Sequence, residues 1–298
     1  MNRKEYWEKR QTQLFNAQDK SNDKLVSRMS KEYERTAKAI DKEIASYYAK
    51  YAEDDVIEYR KLVIGLDKKE KDLLYQDVDK FVKKHPEHAD LMPIRKSVYK
   101  LNRLEGLQLS VRQHLLELGS LEQVEFDKMM KDAYERGYLS SMNGLENREA
   151  FFKVDDKVMQ ATLNAGWIDG KNFSDRIWDN KEKLINTLNN EIRDGLIRGD
   201  SYKKIIDIVE NRTGVGVSSA KRLVFTESAY ILNESNAQAF VDAGIERYEL
   251  TAVLDNKTSP TCRHMDGKVF KFSERVVGLT ASPFHSWCRT TQIPIENE

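Results

Sequence analysis

The stretch from Val26 to Tyr51 constrains this chain more than any other. Its apolar positions, Val26, Met29, Tyr33, Ala37, Ile40, Ile44, Tyr47 and Tyr51, are separated by steps of 3, 4, 4, 3, 4, 3 and 4 residues. An α-helix gathers such positions on one face, whereas successive residues of a strand alternate between faces. Lys, Glu, Arg and Asp fill the positions between. The helix is therefore amphipathic and must bury its stripe against another helix. Too few heptads are present for an isolated coiled coil, so a bundle helix is the expectation.

Helical punctuation continues downstream. In "LDKKEKDLLYQDVDKFVKKH", Asp67 stands at an N-cap with Glu70 in the reciprocal capping-box position. Lysines at the far end complement the negative end of the helix dipole. Pro86 and Pro93 bracket a loop. The spacing of Ile94, Val98, Leu101, Leu104, Leu107, Val111, Leu115 and Leu118 predicts a third helix. Gly119 is its expected stop, and "SLEQ" (Ser120 to Gln123) the capping box of a fourth that ends near Gly144. Asp169-Gly170 between short apolar flanks signals a hairpin turn. Ser174 is placed to cap a helix that buries Ile177, Leu184, Leu188 and Ile192 and ends at Gly199. Ser201 caps a short helix to about Asn211, and Gly214 and Gly216 mark a loop or hinge.

A last helix, about 218–243, is expected to begin at Ser218 and end at Gly244. Beyond it the period changes. Tyr248, Leu250, Ala252 and Leu254 alternate with Glu249, Thr251 and Val253, as in a strand, and "KVFKF" and "RTTQIPI" are further strand candidates. The expected fold class is α+β. It comprises a long helical, partner-binding region over 1–145, a helical connecting region over 146–217, and a smaller C-terminal module over 218–298. In that module a helix packs on a short antiparallel sheet. A fragment of residues 150–298 is expected to fold alone without binding the partner.

Charged residues make up 33% of the chain, yet 49 basic and 49 acidic side chains cancel. That disfavours a strongly cationic nucleic-acid coat, while leaving room for a local basic patch. A mean hydropathy of −0.68 with only five prolines fits long solvated helices rather than disorder. The N-terminus lacks the apolar core of a signal peptide, and no run of about 18 apolar residues occurs, so no membrane span is expected. A cytosolic setting with reduced thiols follows as the expectation.

Both cysteines lie in the last 37 residues, each near a histidine. Cys262 and His264 are spaced C-x-H, and His285 and Cys288 are spaced H-x2-C, with 20 residues between the pairs. Zinc takes tetrahedral sulfur and nitrogen ligands, and paired ligands on two loops suit it. The C-x-H half is tight and would strain simultaneous ligation. Neighbouring metal-free thiols are therefore the expectation, with zinc on Cys262, His264, His285 and Cys288 as the alternative. A Cys–His nucleophile lacks a legible orienting group and oxyanion hole. Ser201 and Lys204 have a serine–lysine hydrolase spacing, but Ser201 stands where an N-cap is expected anyway. No Walker A, dinucleotide fingerprint or HExxH occurs. On the last helix Arg222, Thr226, Asn233 and Phe240 share one narrow stripe. The polar members either bind an external anion or partner or, as expected of buried polar groups, satisfy backbone groups of the following loops. Glu227, off that stripe, is expected to pair with a loop lysine or arginine.

Taken in order, "RLVFTESAYILNESNAQAFVDAGIERYELTAVLDNKTSPTCRHMDGKVF" with "SPFHSWCRTTQIPI" resembles the phage head-morphogenesis family, the Mu F-like minor head proteins. The pattern runs through Arg222, Thr226, Glu227 and Asn233 on a helix, then Gly244 and Tyr248. It continues through Asp255, Thr258, Ser259 and Cys262 to Asp266, Gly267, Lys268, Val269 and Phe270, and closes with Pro283, His285, Cys288 and Arg289. With "WIDGKNFSDRIWDN" and "GLIRGDSYKKI" upstream, the resemblance covers about residues 150–298. Residues 1–145 match only in being long, charged and helical. Met265 stands where some relatives carry the second cysteine of a C-x-x-C, which weighs against zinc. Ser282 and Ser286 stand where relatives often have proline.

The resemblance implies a portal-associated minor capsid protein of the virion, present in few copies and acting in head morphogenesis. In some members it extends to DNA packaging or ejection. It implies the portal protein as partner, with the major capsid or scaffolding protein and DNA as further candidates. The place would be the capsid interior or portal vertex, after assembly in the host cytoplasm. Arg222, Thr226, Glu227, Asn233, Asp255, Asp266, Gly267 and Arg289 are then structural, and neither enzyme activity nor a cofactor is expected. Some members carry toxin or transferase domains after this module, and the end of the chain three residues past Ile295 is expected to leave no room for one. The rival readings are a metal-dependent nuclease or Cys/His hydrolase, and a DNA-binding module.

Overall fold

The structure is a computed structural model and describes residues 2–145, 153–256 and 258–296. The helices are α1 (Arg3–Tyr51), α2 (Tyr59–Leu62), α3 (Lys68–Lys84), α4 (Arg95–Val98), α5 (Arg103–Met142), α6 (Asp156–Asn164), α7 (Phe173–Arg198), α8 (Tyr202–Asp242) and α9 (Pro260–Met265). The strands are β1 (Ala52–Glu53), β2 (Val56–Ile57), β3 (Arg247–Thr251), β4 (Val269–Lys271) and β5 (Thr291–Ile295). The fold is α+β: a long helical region precedes a three-stranded antiparallel sheet of order β4-β3-β5. Among the described residues no helix is long and apolar enough to cross a membrane.

Helix α1 buries Met29, Tyr33, Ile40 and Ile44, as the spacing requires, but it begins far upstream of Val26. Its first half buries Trp7, Gln11, Leu14, Phe15, Gln18 and Asn22. The amides interrupt the hydropathy period while keeping their hydrogen bonds. Gln18 Nε2 donates to Asn22 Oδ1 at 2.9 Å, and Asn22 Nδ2 to Ser228 Oγ at 2.9 Å. The Asp67–Glu70 capping box closes in both directions at the start of α3. The Asp169-Gly170 turn forms with φ of +54° and +66°, bridging Ile168 to Lys171.

Two expected breaks are absent. Helix α5 runs through Gly119 because that glycine is a place of close approach: a Cβ there would lie 2.6 Å from the Trp178 ring. Ser120 caps nothing. Its hydroxyl meets Glu87 Oε1 at 3.1 Å and His88 Nε2 at 2.8 Å. The true cap of α5 is Asn102, in a reciprocal pair with Glu105, and Ile94 and Val98 belong to the separate turn around α4. Helix α8 likewise continues through Gly214, Gly216 and Ser218, and a Cβ on Gly216 would lie 2.5 Å from the Tyr33 ring. Helix α7 starts two residues before the expectation, since Asn172 and Asp175 form its capping pair in place of Ser174.

The compact units do not follow the divisions 1–145, 146–217 and 218–298. One unit gathers residues 1–28, 123–176 and 219–298, and the other residues 29–122 and 177–218. The reason is helix length: α1, α5, α7 and α8 each supply residues to both. In the first unit Trp7 meets Phe240 edge-on at 5.3 Å, and Leu14 and Phe15 cluster with Ala229 and Leu232. Buried Asn236 donates to Gln11 Oε1 at 2.9 Å and accepts from Ser141 at 2.8 Å. The C-terminal module thus completes its core with residues from the start of the chain. In the second unit Lys181, Glu122 and Tyr33 form a buried polar triad. Lys181 Nζ lies 2.5 Å from Glu122 Oε2, to which Tyr33 donates at 3.1 Å.

Candidate functional site

Two short segments frame the site. The first is the turn from Asp255 into α9. Thr258 Oγ1 accepts from the Asp255 amide at 2.8 Å and donates to the Val253 carbonyl at 2.7 Å. Arg263 donates to the Asp255 carbonyl, and Ser259 caps α9 by accepting from the Cys262 amide at 3.1 Å. Asp266 accepts from the Ala252 amide at 2.8 Å, which ties the end of α9 to the end of β3. Gly267 has φ +75°, the left-handed conformation that favours glycine, and its amide donates to the Leu250 carbonyl at 2.8 Å.

The second is the closing segment 282–290, held against α8 by Asn233. This buried amide donates to the Ala229 carbonyl at 2.9 Å, the Thr290 carbonyl at 3.3 Å and Ser282 Oγ at 3.4 Å. It accepts from Thr291 Oγ1 at 2.8 Å, and its backbone carbonyl accepts from Gln292 at 2.6 Å. Seven residues earlier, two helical turns on the same face, Thr226 accepts from the Trp287 amide at 3.3 Å and donates to the Arg222 carbonyl at 2.8 Å. The Arg222 side chain is exposed. Arg289 reaches Asn16 at 2.9 Å and Asp19 at 3.4 Å. Thr226 and Asn233 therefore satisfy the loops that follow, as expected of that stripe.

Glu227 pairs with Arg176 at 2.8 Å, a residue of helix α7 rather than of a loop, and accepts from Trp167 Nε1 at 2.9 Å. Burial pushes its carboxyl above the ordinary value, while Trp167 and Arg176 oppose the rise.

Between the two segments three of the expected ligands converge. Cys262 Sγ lies 3.6 Å from Cys288 Sγ and 3.1 Å from His285 Nε2, and these ligand atoms all lie within 4.8 Å of one another. Both cysteines are free and buried. Ser259 Oγ is 2.9 Å from His285 Nε2, and Ser282 Oγ is 3.4 Å from Cys288 Sγ. His285 Nδ1 lies 2.7 Å from the Ser286 carbonyl, which can only accept, so that nitrogen carries the proton and Nε2 presents its lone pair. The hydrogen bond from Cys262 holds the Cys288 thiol well below its ordinary value, at about 5. The same bond, with burial added, pushes Cys262 up. The cluster lines a cavity of about 480 Å³, together with Phe15, Phe225 and Ser259.

His264 stands apart from the set. Two residues along a helix turn the side chain by about 200° from Cys262. It is exposed, with Nε2 at 2.7 Å from Lys268 Nζ. Ser259 and Ser282 are named in the sequence pattern but not assigned to the cysteine–histidine cluster, because serine is common in caps and loops. The one available signal was their position next to the cysteine-bearing stretches.

Residues 186–293 match the family described as Phage Mu protein F like protein. NAD(+)–arginine ADP-ribosyltransferase EFV of Enterococcus faecalis (strain ATCC 700802 / V583) is 22% identical over 242 residues, which is 73% of this chain and 48% of that protein. The chain thus spans about half the length of that curated relative. No solved structure matches. The matched span contains the anchors on α8, the turn into α9 and the closing segment, so residues 186–293 are similar to the Mu F-like family of phage head proteins.

Proposed function

We propose that this chain is a minor head protein that joins the assembling phage head at the portal, contributes to DNA packaging or ejection, and has no catalytic turnover. The match of residues 186–293 to the Mu F-like family carries the reading and supports a virion protein of head morphogenesis. The side chains of the matched pattern agree with an architectural role. Thr226, Asn233, Asp266 and Ser259 have their polar atoms engaged with backbone groups of neighbouring segments. Zero net charge supports recognition of protein partners, with any DNA contact local.

The partner surface is assigned to the helices that precede the matched span. In the connections between those helices Val63, Ile64, Leu91 and Ile94 are exposed and suit an apolar contact. The portal is the first partner, and the major capsid or scaffolding protein the next. The cavity beside Cys262 and His285 favours a Cys/His hydrolase as the second reading. The activity named for the Enterococcus faecalis relative is not carried over, since the chain spans 48% of that protein.

Co-expression with the portal protein of the same phage tests the proposal. A tagged full-length chain should co-purify the portal as a defined complex, and Ile94→Asp should weaken it. Separate elution of the two proteins would overturn the portal assignment. Turnover of ester or peptide substrates that is lost in Cys262→Ala would establish the hydrolase in its place.

A further inference from the structure

We propose that Cys262, His285 and Cys288 form a zinc site that clamps the closing segment to α9. Tetrahedral zinc with bonds of about 2.3 Å to sulfur and 2.0 Å to nitrogen sets sulfur–sulfur edges of about 3.8 Å and sulfur–nitrogen edges of about 3.5 Å. The observed edges of 3.6 Å and 3.1 Å need only small outward shifts of the side chains. Ligand softness points the same way, because two thiolates with one imidazole suit zinc and not magnesium or calcium. Charge does too: two thiolates and a neutral imidazole bring a divalent ion to zero net charge, so the buried group avoids the cost of an isolated ion.

The surroundings have the features of a metal site's outer shell. A ligating histidine usually donates its second ring N–H to a carboxylate or backbone carbonyl, as His285 Nδ1 does to Ser286. Ser282 Oγ lies 3.4 Å from Cys288 Sγ, where its hydroxyl would donate to a ligating thiolate, and Ser282 itself accepts from Asn233. The family-pattern asparagine therefore orients a ligand sulfur through one hydroxyl. The cavity, also lined by Ser259 and Thr290, gives room for a fourth, non-protein ligand. Each coordinating thiol releases its proton to solvent, so binding weakens as pH falls. His264 has no part in the site.

The full chain, purified without chelator, should carry about one zinc per molecule by elemental analysis. Cys262→Ser and Cys288→Ser should lose it, His264→Ala should retain it, and Ser282→Ala should weaken zinc binding about tenfold in a competition titration. Because a cysteine variant can also misfold, the unaltered chain is titrated with cobalt(II). Tetrahedral thiolate coordination gives a near-ultraviolet charge-transfer band and intense visible absorption. Absence of both zinc and the cobalt spectrum would overturn the proposal. So would zinc retained in both cysteine variants, zinc lost in His264→Ala, or a Cys262–Cys288 disulfide in the freshly purified protein.

Discussion

Replacing Asn233 by alanine should detach the closing segment from α8 while leaving the helices intact. The substitution strands two polar groups that are buried in the native protein, the Thr291 hydroxyl and the Thr290 carbonyl. A buried group left without its partner costs about 1–3 kcal/mol. Local relaxation recovers part of this, so the segment loses about 2–4 kcal/mol of its resistance to opening. The Ala229 carbonyl keeps its helical hydrogen bond and adds little. Cys288 reports the opening directly, since it lies in that segment and is buried. With chelator present, so that metal plays no part, its labelling by a thiol reagent should accelerate roughly 30- to 700-fold, at 1.4 kcal/mol per decade. Mass spectrometry of the labelled peptides separates Cys288 from Cys262. Far-ultraviolet circular dichroism should stay unchanged. An acceleration below threefold, or a loss of helical signal, would refute the anchoring role.

Two further predictions concern the units. Lys181→Met leaves the Glu122 carboxylate buried with the Tyr33 hydroxyl but without its cation, and should destabilise the chain by about 3–5 kcal/mol in urea unfolding. Adding Glu122→Leu should recover most of that loss, and a double variant no better than the single would contradict the charge argument. A fragment of residues 150–298 should not fold as a compact domain, because it lacks Trp7, Leu14, Phe15 and Gln11, the partners of Phe240, Leu232 and Asn236. Cooperative unfolding and dispersed amide resonances from that fragment would refute this.

Where the sequence was legible, the signal was local. The Asp67 capping box, the Asp169-Gly170 turn, the helix stop at Gly244 and the three C-terminal strands all depend on residues within a few positions of one another. Gly244 illustrates why. At φ +77° it takes the left-handed conformation, and the Ile245 amide bonds back to the Phe240 carbonyl, a geometry that glycine alone makes cheap. Gly119 and Gly216 look identical in sequence but serve another purpose, the close approach of an aromatic ring from a distant helix. No local pattern separates the two uses.

The same limit governs the rest. Gln11, Gln18, Asn22 and Asn236 are polar residue types with no apolar period to mark them, yet they are buried in pairs that only the tertiary fold creates. That hid the first half of α1 and with it the contribution of the N-terminus to the C-terminal module. At the site, Cys262, His285 and Cys288 were marked by residue type and came together, while helical rotation removed His264. Asn233 was marked by the family pattern, but its hold on Ser282, and through it on Cys288, depended on the third dimension.

Recruitment through the portal is the central part of the proposed function. Procapsids assembled in infected cells with and without the portal gene, purified and quantified by mass spectrometry against the major capsid protein, test it most directly. Portal-containing procapsids should hold a small, fixed number of copies, and those lacking the portal none. Equal incorporation into both, or absence from both, would contradict it.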